Sequence, residues 1–376
     1  MQNDLSPLPL TSNLILIARG GGIPFLNDAL FTYLNIPTLN IQFSEILNFL
    51  DIVYEYGKKF PQKSFLSDYF KLNFPILGFT EYIDDFGTNE DNIYFVKSTT
   101  GKIKINIDEY LKVINILKPN YFICPFEFIN ETVGKKRIVR CNKKLKIFYE
   151  KFLNIYGNNK EKFKIIFPLF LEHNNFLNKN DLDYFILNSK GVLIFTEEYS
   201  NLSYKKIIEY KNFLSSLKLN KEYKIIKSST NNIFDLLIGN LLGCTDFEIN
   251  FPVLLSEKGI VLNINFNDFD NKKDYGEIEK INNFNYKQKF LNINECENDL
   301  GILENNCECF VCKTGYSRAY IQHLYKCKEL NGNILTIIHN LYQTKKLNKI
   351  LIESDEKTKN NFIMWFLNNY CEQLNN

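Results

Sequence analysis

The sequence predicts an α/β fold of the (β/α)8 TIM-barrel type, with an open doubly wound sheet as the alternative. Short apolar runs rich in β-branched and aromatic residues recur along the chain, and segments with apolar residues at helical spacing lie between them. Strands that alternate with helices form parallel sheets with right-handed crossovers. Eight runs have the character of buried strands: residues 13–18, 75–82, 120–127, 163–170, 191–195, 223–229, 247–255 and 259–264.

Helical spacing is clearest in two segments, residues 107–117 ("IDEYLKVINIL") and 233–243 ("IFDLLIGNLLG"). Each lies between two predicted strands, which is the position of a crossover helix. A chain of 376 residues can form such a barrel as one unit and still carry an appended segment.

The alternation of strands and helices ends near residue 266. Residues 267–289 are polar and lack a sustained period, so we expect a loop there with the composition of a mobile segment. Two further helical stretches are predicted, over residues 317–342 and 357–373. Gly332 is expected to break the first of these in two.

Charge and composition exclude several classes of protein. The 45 Lys and Arg residues nearly balance the 43 Asp and Glu residues, so the surface as a whole does not favour polyanions. The first ten residues lack the basic start and apolar run of a signal peptide. Because no stretch has eighteen uninterrupted apolar residues, no membrane span is predicted, and we expect a soluble protein of the cytoplasm.

Three of the nine cysteines, Cys307, Cys309 and Cys312, lie within six residues of one another. In a reducing compartment such a cluster is typical of a metal site rather than of a disulfide framework. Zn²⁺ favours four thiolate or imidazole ligands in a tetrahedron. His339 is favoured as the fourth ligand over His323, because a helix that begins soon after the cysteines would carry His323 away. Four protein ligands leave no open position for chemistry, so we predict one structural Zn²⁺ per chain.

The segment "CECFVCKTGYSRAYIQHLYKCKELNGNILTIIHNL" resembles the zinc-binding signature of the tRNA-guanine transglycosylases, or queuine tRNA-ribosyltransferases. In that family, three cysteines in a C-x-C-x-x-C pattern and a histidine in an I-H-N-type segment hold zinc. The match departs by one residue, which we interpret as an insertion around Gly315. The resemblance implies a (β/α)8 barrel with a zinc-binding subdomain inserted before the last helix.

Enzymes of this family exchange a guanine in a tRNA anticodon, and an aspartate attacks the ribose. Their nucleophile lies in a G-V-D-x-F-D-C-x-x-P-T-R-type segment, which resembles "GCTDFEINFPVL" in this chain. Glu248 stands at the nucleophile position, one methylene longer than aspartate. Val253 and Leu254 replace the Thr-Arg pair, so they can neither bind phosphate nor position polar groups.

The other family segments are also altered. The D-S-G-G-F-Q-type turn corresponds to "YIDDFGTNEDN", where Asp84 or Asp85 could occupy the aspartate position but the glycine pair is missing. Phe126 stands where an F-D-E-type strand end has its aspartate. Residues 170–173 and 196–199 replace glycine-containing segments that read the base. Together these losses predict that the chain has no catalytic residues.

The pattern resembles the accessory, non-catalytic subunits of the family. This implies a heterodimer with a catalytic subunit that exchanges guanine for queuine at wobble position 34 of tRNAs with GUN anticodons. This chain would support dimer assembly and tRNA placement, and would reach tRNA through the complex. The alternatives are an active transglycosylase that uses Glu248 and a zinc-stabilised RNA-binding protein without such a partner. The resemblance also leaves room for peripheral association with the mitochondrial outer membrane.

The chain is accordingly divided into four parts. They are a barrel body with a degenerate active site (1–266), a polar loop (267–296), the zinc-binding subdomain (297–345) and a C-terminal helix that packs on the barrel (346–376).

Two other segments have competing interpretations. Residues 134–146 hold seven basic residues and could contact tRNA phosphates, or could be the solvated face of a helix. Residues 18–24 ("ARGGGIP") resemble a phosphate-binding loop but lack its G-K-[ST] ending, so a turn near the start of the barrel is favoured.

Overall fold

Eight parallel strands close into a barrel in the computed structural model, which describes residues 14–34, 38–71, 74–78, 93–98, 101–126, 134–156, 164–172, 179–217, 219 and 223–374. Around the barrel the strands follow their order in the chain, and each is hydrogen-bonded to its neighbours in parallel. A hairpin formed by β4 (Ile93–Ser98) and β5 (Gly101–Asn106) stands outside the barrel. The strands are β1 (Leu14–Ile17), β2 (Thr38–Gln42), β3 (Phe74–Gly78), β4 (Ile93–Ser98), β5 (Gly101–Asn106), β6 (Tyr121–Ile123), β7 (Lys164–Phe170), β8 (Gly191–Phe195), β9 (Lys224–Thr230) and β10 (Asp246–Ile249).

The predicted (β/α)8 barrel is confirmed, but one of its strands was assigned wrongly. Seven of the eight predicted runs contribute a barrel strand, whereas 259–264 lies outside the barrel and β2 takes the eighth place. Strand β2 carries Asn40 and Gln42 at alternate positions, so it does not read as an apolar run. The predicted strand 247–255 also ends early, because a helix begins at Phe251 with a proline in its first turn.

Helices alternate with the barrel strands and cover their outer side. The helices predicted over residues 107–117 and 233–243 are confirmed. Each begins with an asparagine cap: Asn106 accepts a hydrogen bond from the Glu109 amide, and Asn232 accepts one from the Asp235 amide. No helix among the described residues is both long and apolar enough to cross a bilayer. The helices are α1 (Asp28–Leu34), α2 (Phe43–Ile46), α3 (Leu50–Lys59), α4 (Phe65–Tyr69), α5 (Ile107–Leu117), α6 (Lys135–Tyr156), α7 (Lys179–Leu187), α8 (Tyr204–Ser216), α9 (Ile233–Leu242) and α10 (Phe251–Glu257).

The part of the chain after the barrel contains four helices and two small antiparallel strand pairs. Strand β11 pairs with β13, and β12 pairs with β14 at the end of the chain. The elements are β11 (Ile260–Val261), β12 (Tyr286–Gln288), β13 (Leu291–Asn292), α11 (Phe310–Thr314), α12 (Arg318–Lys326), α13 (Leu330–Glu353), α14 (Glu356–Tyr370) and β14 (Cys371–Gln373).

The expected break at Gly332 is wrong by a few residues. Helix α12 stops earlier, where Lys328 adopts a left-handed backbone with φ of 57°. Gly332 instead lies buried in the first turn of α13, where an added Cβ would stand 3.2 Å from the Tyr325 ring and 3.3 Å from Leu324 Cβ. The glycine therefore permits close packing of α12 on α13. Helix α13 also continues to Glu353, across the boundary proposed at residue 345.

Residues 267–296 contain 3-10 turns and short strands rather than long elements. Side chains of α14 hold this segment: the Asn361 amide oxygen accepts from the Tyr275 amide at 3.1 Å, and Asn361 Nδ2 donates to the Lys273 carbonyl at 2.7 Å. Ile278 and Phe284, which belong to this segment, have buried side chains. Their burial and these hydrogen bonds attach the segment to the last helix.

Trp365 anchors α14 against this segment. Its ring lies 5.1 Å from that of Phe362, 5.5 Å from that of Tyr370 and 5.6 Å from that of Phe269, measured between ring centroids. Its side chain is only 2% exposed. A buried indole in such a cluster contributes much of the local packing energy.

We predict that Trp365→Ala lowers the free energy of unfolding by about 3–5 kcal/mol, because it leaves a large cavity among these rings. Urea unfolding followed by circular dichroism measures the change. The control is Ile352→Ala, whose side chain is 39% exposed at the end of α13. This control should cost far less, about 0.5 kcal/mol. Equal losses in the two variants would contradict the assigned packing.

Candidate metal centre and barrel mouth

The predicted metal ligands converge in a buried cluster. The three cysteine sulfurs and the ligand nitrogen of His339 all lie within 4.8 Å of one another. The distances from His339 Nδ1 are 3.7 Å to Cys307 Sγ, 3.3 Å to Cys309 Sγ and 3.4 Å to Cys312 Sγ. A tetrahedral zinc site with ordinary bond lengths has sulfur-to-nitrogen edges of about 3.5 Å. The cluster could therefore hold a metal ion.

The structure places His339, and not His323, against the three sulfurs. His323 lies on α12, where its Nε2 is 3.7 Å from the sulfur of Cys327 instead. Cys327 is exposed and stands at the end of α12. Helix α12 thus carries His323 away from the three cysteines, as its expected start predicts.

The ligand loop is shaped by the start and the end of α11. Cys309 caps this helix, and its sulfur accepts a hydrogen bond from the Cys312 amide at 3.4 Å. Gly315 ends the helix with φ of 82°, a left-handed conformation that glycine adopts without strain. Ser317 then caps α12 through the Tyr320 amide. The proposed one-residue insertion thus falls in the turn between two separately capped helices.

His339 and Asn340 hold the segment that follows the barrel. His339 Nε2 donates to the Leu262 carbonyl at 2.8 Å, which turns Nδ1 toward the sulfurs. Asn340 accepts from the Leu262 amide at 2.9 Å and donates to the Ile260 carbonyl at 3.0 Å. The run 259–264 is therefore apolar because it packs beside the metal cluster and not because it forms a barrel strand.

Hydrogen bonds within the cluster shift the ionisation of its members. Hydrogen bonds from Cys309 and Cys312 hold the pKa of Cys307 well below its usual range. Burial would lower the pKa of His339, but its hydrogen bonds to Cys307 and Cys312 and their charges outweigh burial and raise the pKa to about 10. Hydrogen bonds to Cys307 and Cys312 raise the pKa of Cys309, so the thiolate form, which binds a soft divalent cation, is favoured at Cys307.

A buried polar cluster occupies the barrel interior near Glu248. The Glu248 carboxylate accepts from Asn40 Nδ2 at 2.5 Å and from Ser228 Oγ at 3.3 Å. Gln42 Nε2 donates to the other side of Asn40 at 3.2 Å. Gly78 leaves room for these amides, since a Cβ at this position would stand 2.3 Å from Asn40 Oδ1. Both oxygens of the Glu248 carboxylate are thus engaged, one by a side chain of β2 and the other by a side chain of β9.

Three phenylalanines pack together where neighbouring strands β6, β7 and β8 end. The rings of Phe170 and Phe195 are stacked with centroids 4.6 Å apart. Phe126 lies 5.1 Å from Phe195 and 5.8 Å from Phe170. Active sites of (β/α)8 barrels lie at this carboxyl-terminal face of the strands. The rings have no polar atoms with which to hydrogen-bond a nucleobase there.

The other positions that were compared with family segments are only partly described by the structure. Val253 is buried in α10, and Leu254 follows it in the same helix. Asp84 and Asp85 lie outside the described residues.

The structure describes both segments that had competing interpretations, residues 18–24 and 134–146. Residues 19–22 form a turn, and the Glu45 carboxylate accepts from the Gly20 amide at 3.0 Å, so an acidic side chain takes the place that a phosphate would need. The basic residues 134–146 lie at the start of α6. One of them, Lys144, is buried and donates to the Ile93 carbonyl at 3.0 Å.

A closed parallel barrel followed by a buried Cys3His cluster defines the class of protein, a (β/α)8-barrel protein with a candidate metal centre in its C-terminal part. The family follows from the sequence. The chain belongs to the queuine tRNA-ribosyltransferase family, whose model matches residues 66–369. The resemblance predicted from the cysteine and histidine motifs is confirmed.

Relatives match over most or part of the chain. A queuine tRNA-ribosyltransferase-like protein of Plasmodium falciparum (isolate 3D7) is 28% identical over 302 residues, which cover 76% of this chain and 73% of that protein. A protein of the same description from Theileria parva is 26% identical over 345 residues, covering 88% and 83%. Queuine tRNA-ribosyltransferase accessory subunit 2 of Caenorhabditis elegans is 33% identical over 113 residues, covering 30% and 27%.

We predict that Cys309→Ser abolishes tight metal binding, because a neutral hydroxyl replaces one of the thiolate ligands. Metal content after dialysis, measured by inductively coupled plasma mass spectrometry, should fall from about one ion per chain to nearly none. The matched control is His323→Ala, which should keep the full content. Loss of metal from the control, or its retention by Cys309→Ser, would assign the ligands wrongly.

Proposed function

We propose that this chain is the non-catalytic accessory subunit of a heterodimeric queuine tRNA-ribosyltransferase. The observation that carries the proposal is the barrel mouth, where Phe126, Phe170 and Phe195 pack together at the strand ends. The likeness to the accessory subunit of Caenorhabditis elegans supports the same conclusion. The proposed complex exchanges guanine for queuine at position 34 of tRNAs with GUN anticodons.

The proposed lack of catalysis follows from what base exchange requires. A carboxylate must attack the anomeric carbon of the ribose, and polar groups must hold the leaving and incoming bases. Glu248 is buried and hydrogen-bonded to Asn40 and Ser228, so attack would have to break these contacts. Its extra methylene also displaces the oxygen by roughly an ångström, which can cost on the order of a hundredfold in rate.

We propose that the Cys3His cluster holds one structural Zn²⁺ per subunit. The donor set of three sulfurs and one imidazole suits zinc, and the hydrogen bond from His339 Nε2 to Leu262 orients the ring for it. When bound, the ion supplies a fixed tetrahedral junction and no reactive position. Cys307, Cys309, Cys312 and His339 would join the ligand loop to α13.

The proposed partner is the catalytic subunit of the same family. The resemblance implies that it binds through the zinc-binding subdomain, in a pseudo-twofold dimer. Three large apolar side chains of this part are exposed: Leu300 at 82%, Leu330 at 59% and Tyr320 at 44%. Their burial in an interface of at least roughly 1,200 Å² would stabilise the pair. Contact with tRNA would then occur through the complex.

The four-part division remains part of this proposal: barrel body 1–266, polar segment 267–296, zinc-binding subdomain 297–345 and C-terminal part 346–376. We also propose that the complex acts in the cytoplasm.

One observation favours a second candidate, an active transglycosylase. Glu248 is a carboxylate on β10, inside the barrel and at the position of the family nucleophile. If this residue attacks tRNA, a covalent adduct between chain and RNA should form and survive denaturing electrophoresis. Glu248→Gln should abolish that adduct while the fold, followed by circular dichroism, stays intact.

We predict that the chain alone incorporates no labelled guanine or queuine into tRNA, whereas the reconstituted pair does. Assays of the chain, the catalytic subunit and the mixture measure this directly. Glu248→Asp should not restore activity to the chain alone, because the phenylalanines and Val253 remain. Turnover by this single variant would disprove a disabled site, and RNA binding without any effect of the partner would favour a freestanding RNA-binding protein.

We predict that Tyr320→Glu dissociates the pair without unfolding the chain, because it places a charge on the exposed side of α12. Sedimentation of the mixed subunits should show at least a tenfold weaker association. Leu187→Glu on α7 is the matched control, since that side chain is 83% exposed but lies in the barrel body. Unchanged association of the Tyr320 variant would place the interface elsewhere.

A further inference from the structure

Two consecutive side chains of α13 bind both polar backbone groups of one residue beside the metal cluster. The Leu262 carbonyl accepts a hydrogen bond from His339 Nε2 at 2.8 Å, and the Leu262 amide donates one to Asn340 Oδ1 at 2.9 Å. All three residues are fully buried. Because a buried donor or acceptor that loses its partner is costly, these two bonds hold Leu262 at a fixed place on α13.

The Asn340 amide has one orientation that satisfies its surroundings. Its Nδ2 donates to the Ile260 carbonyl at 3.0 Å and to Ser256 Oγ at 3.3 Å, while its Oδ1 faces the Leu262 amide. Turning the Asn340 amide over would place Oδ1 against the Ile260 carbonyl and Nδ2 against the Leu262 N–H group, so both of these hydrogen bonds would be lost. Asn340 therefore fixes residues 260 and 262 relative to α13.

The orientation of the His339 ring depends on the position of the Leu262 carbonyl. An imidazole that binds a metal through one nitrogen is oriented by the hydrogen bond that its other nitrogen donates. Here that bond directs Nδ1 toward Cys307, Cys309 and Cys312, whose sulfurs lie 3.3–3.7 Å away. A carbonyl that moves would turn the ring and take Nδ1 out of the position that completes a tetrahedron.

We propose that Asn340 is a positioning residue of the metal centre, which fixes the Leu262 carbonyl and through it the His339 imidazole. The inference rests on the proposed metal binding, in which His339 is the fourth ligand. Asn340 itself does not bind the ion, since its amide is occupied by Ser256, Ile260 and Leu262. Its contribution is that the fourth ligand is already aimed at the three sulfurs before an ion arrives.

A second buried asparagine of α13 provides a matched comparison. Asn348 is also fully buried, and its Oδ1 accepts a hydrogen bond from Asn240 Nδ2 of α9 at 3.2 Å. It lies about two turns beyond Asn340 on the same helix. Replacing either asparagine removes an amide from the buried side of α13, but the Asn348 bond joins this helix to α9 instead of to Leu262.

The first test compares the zinc affinities of Asn340→Leu and Asn348→Leu, measured by competition with a chromophoric chelator. Leucine has nearly the shape of asparagine but neither donates nor accepts a hydrogen bond. Asn340→Leu should weaken zinc binding by about tenfold or more, the range found when groups that orient metal ligands are removed. Asn348→Leu should bind zinc within about twofold of the parent chain, because distant substitutions that share no partner act independently.

Two further measurements separate positioning from general packing. Urea unfolding of the metal-free chains gives the contribution of each asparagine to stability, so that a difference in zinc affinity is not mistaken for a difference in folding. Saturating cobalt(II) should give both variants the absorption spectrum of the parent, since the four ligands are unchanged. Parental zinc affinity in Asn340→Leu, or an equal loss of affinity in Asn348→Leu, would overturn the proposal.

The second test uses the unaltered chain and does not depend on a folded variant. Removal of metal with a chelator should speed hydrogen exchange of the amides in residues 307–314. The Leu262 amide should stay protected, because its acceptor is the Asn340 side chain rather than the metal cluster. Loss of protection at Leu262 together with the loop would overturn the proposal. A parent chain that takes up no metal at all would instead refute the metal centre itself, so the two failures are distinguishable.

Discussion

The burial of α13 on almost all sides is the constraint on which the rest of the structure depends. This helix carries polar side chains that are fully buried, among them His339, Asn340 and Asn348. A buried polar group without a hydrogen bond is costly, so the partners of these side chains contribute to how the helix is held. Asn340 and His339 bond to the segment after the barrel, and Asn348 accepts from Asn240 of α9 at 3.2 Å. The helix thereby fixes the barrel, the ligand loop and the C-terminal part to one another.

Inside the barrel, polar and apolar side chains occupy separate regions. Its polar groups are concentrated around Glu248, where Asn40 and Ser228 satisfy the carboxylate. At its mouth the rings of Phe126, Phe170 and Phe195 pack together, and they gain from burial and from contact with one another. The carboxylate is thus held by hydrogen bonds inside the barrel, while apolar rings pack together at the ends of three strands.

Much of this architecture could be predicted from local patterns, because buried parallel strands are apolar on both faces and the metal ligands are close in sequence. The wrongly assigned strand shows the limit of local patterns. Strand β2 places Asn40 and Gln42 inside the barrel, so its pattern is not apolar. Residues 259–264 are apolar because they pack against α13. The helix break predicted at Gly332 was wrong because a glycine can permit close packing of helices as well as end a helix. The hydrogen bond from Lys345 to the Leu34 carbonyl joins residues far apart in the chain, and no local pattern predicts it.

The closure of the barrel between its first and tenth strands has a consequence for the order of events during synthesis. Strand β1 pairs with β10, so the sheet can close only after Ile249 has left the ribosome. His339 is made about 90 residues later, which takes roughly 5–18 s at translation rates of about 5–20 residues per second. Throughout this interval the barrel lacks α13, and the apolar surface that this helix covers is exposed. The nascent chain is therefore most vulnerable to aggregation late in its translation, just before the last ligand appears.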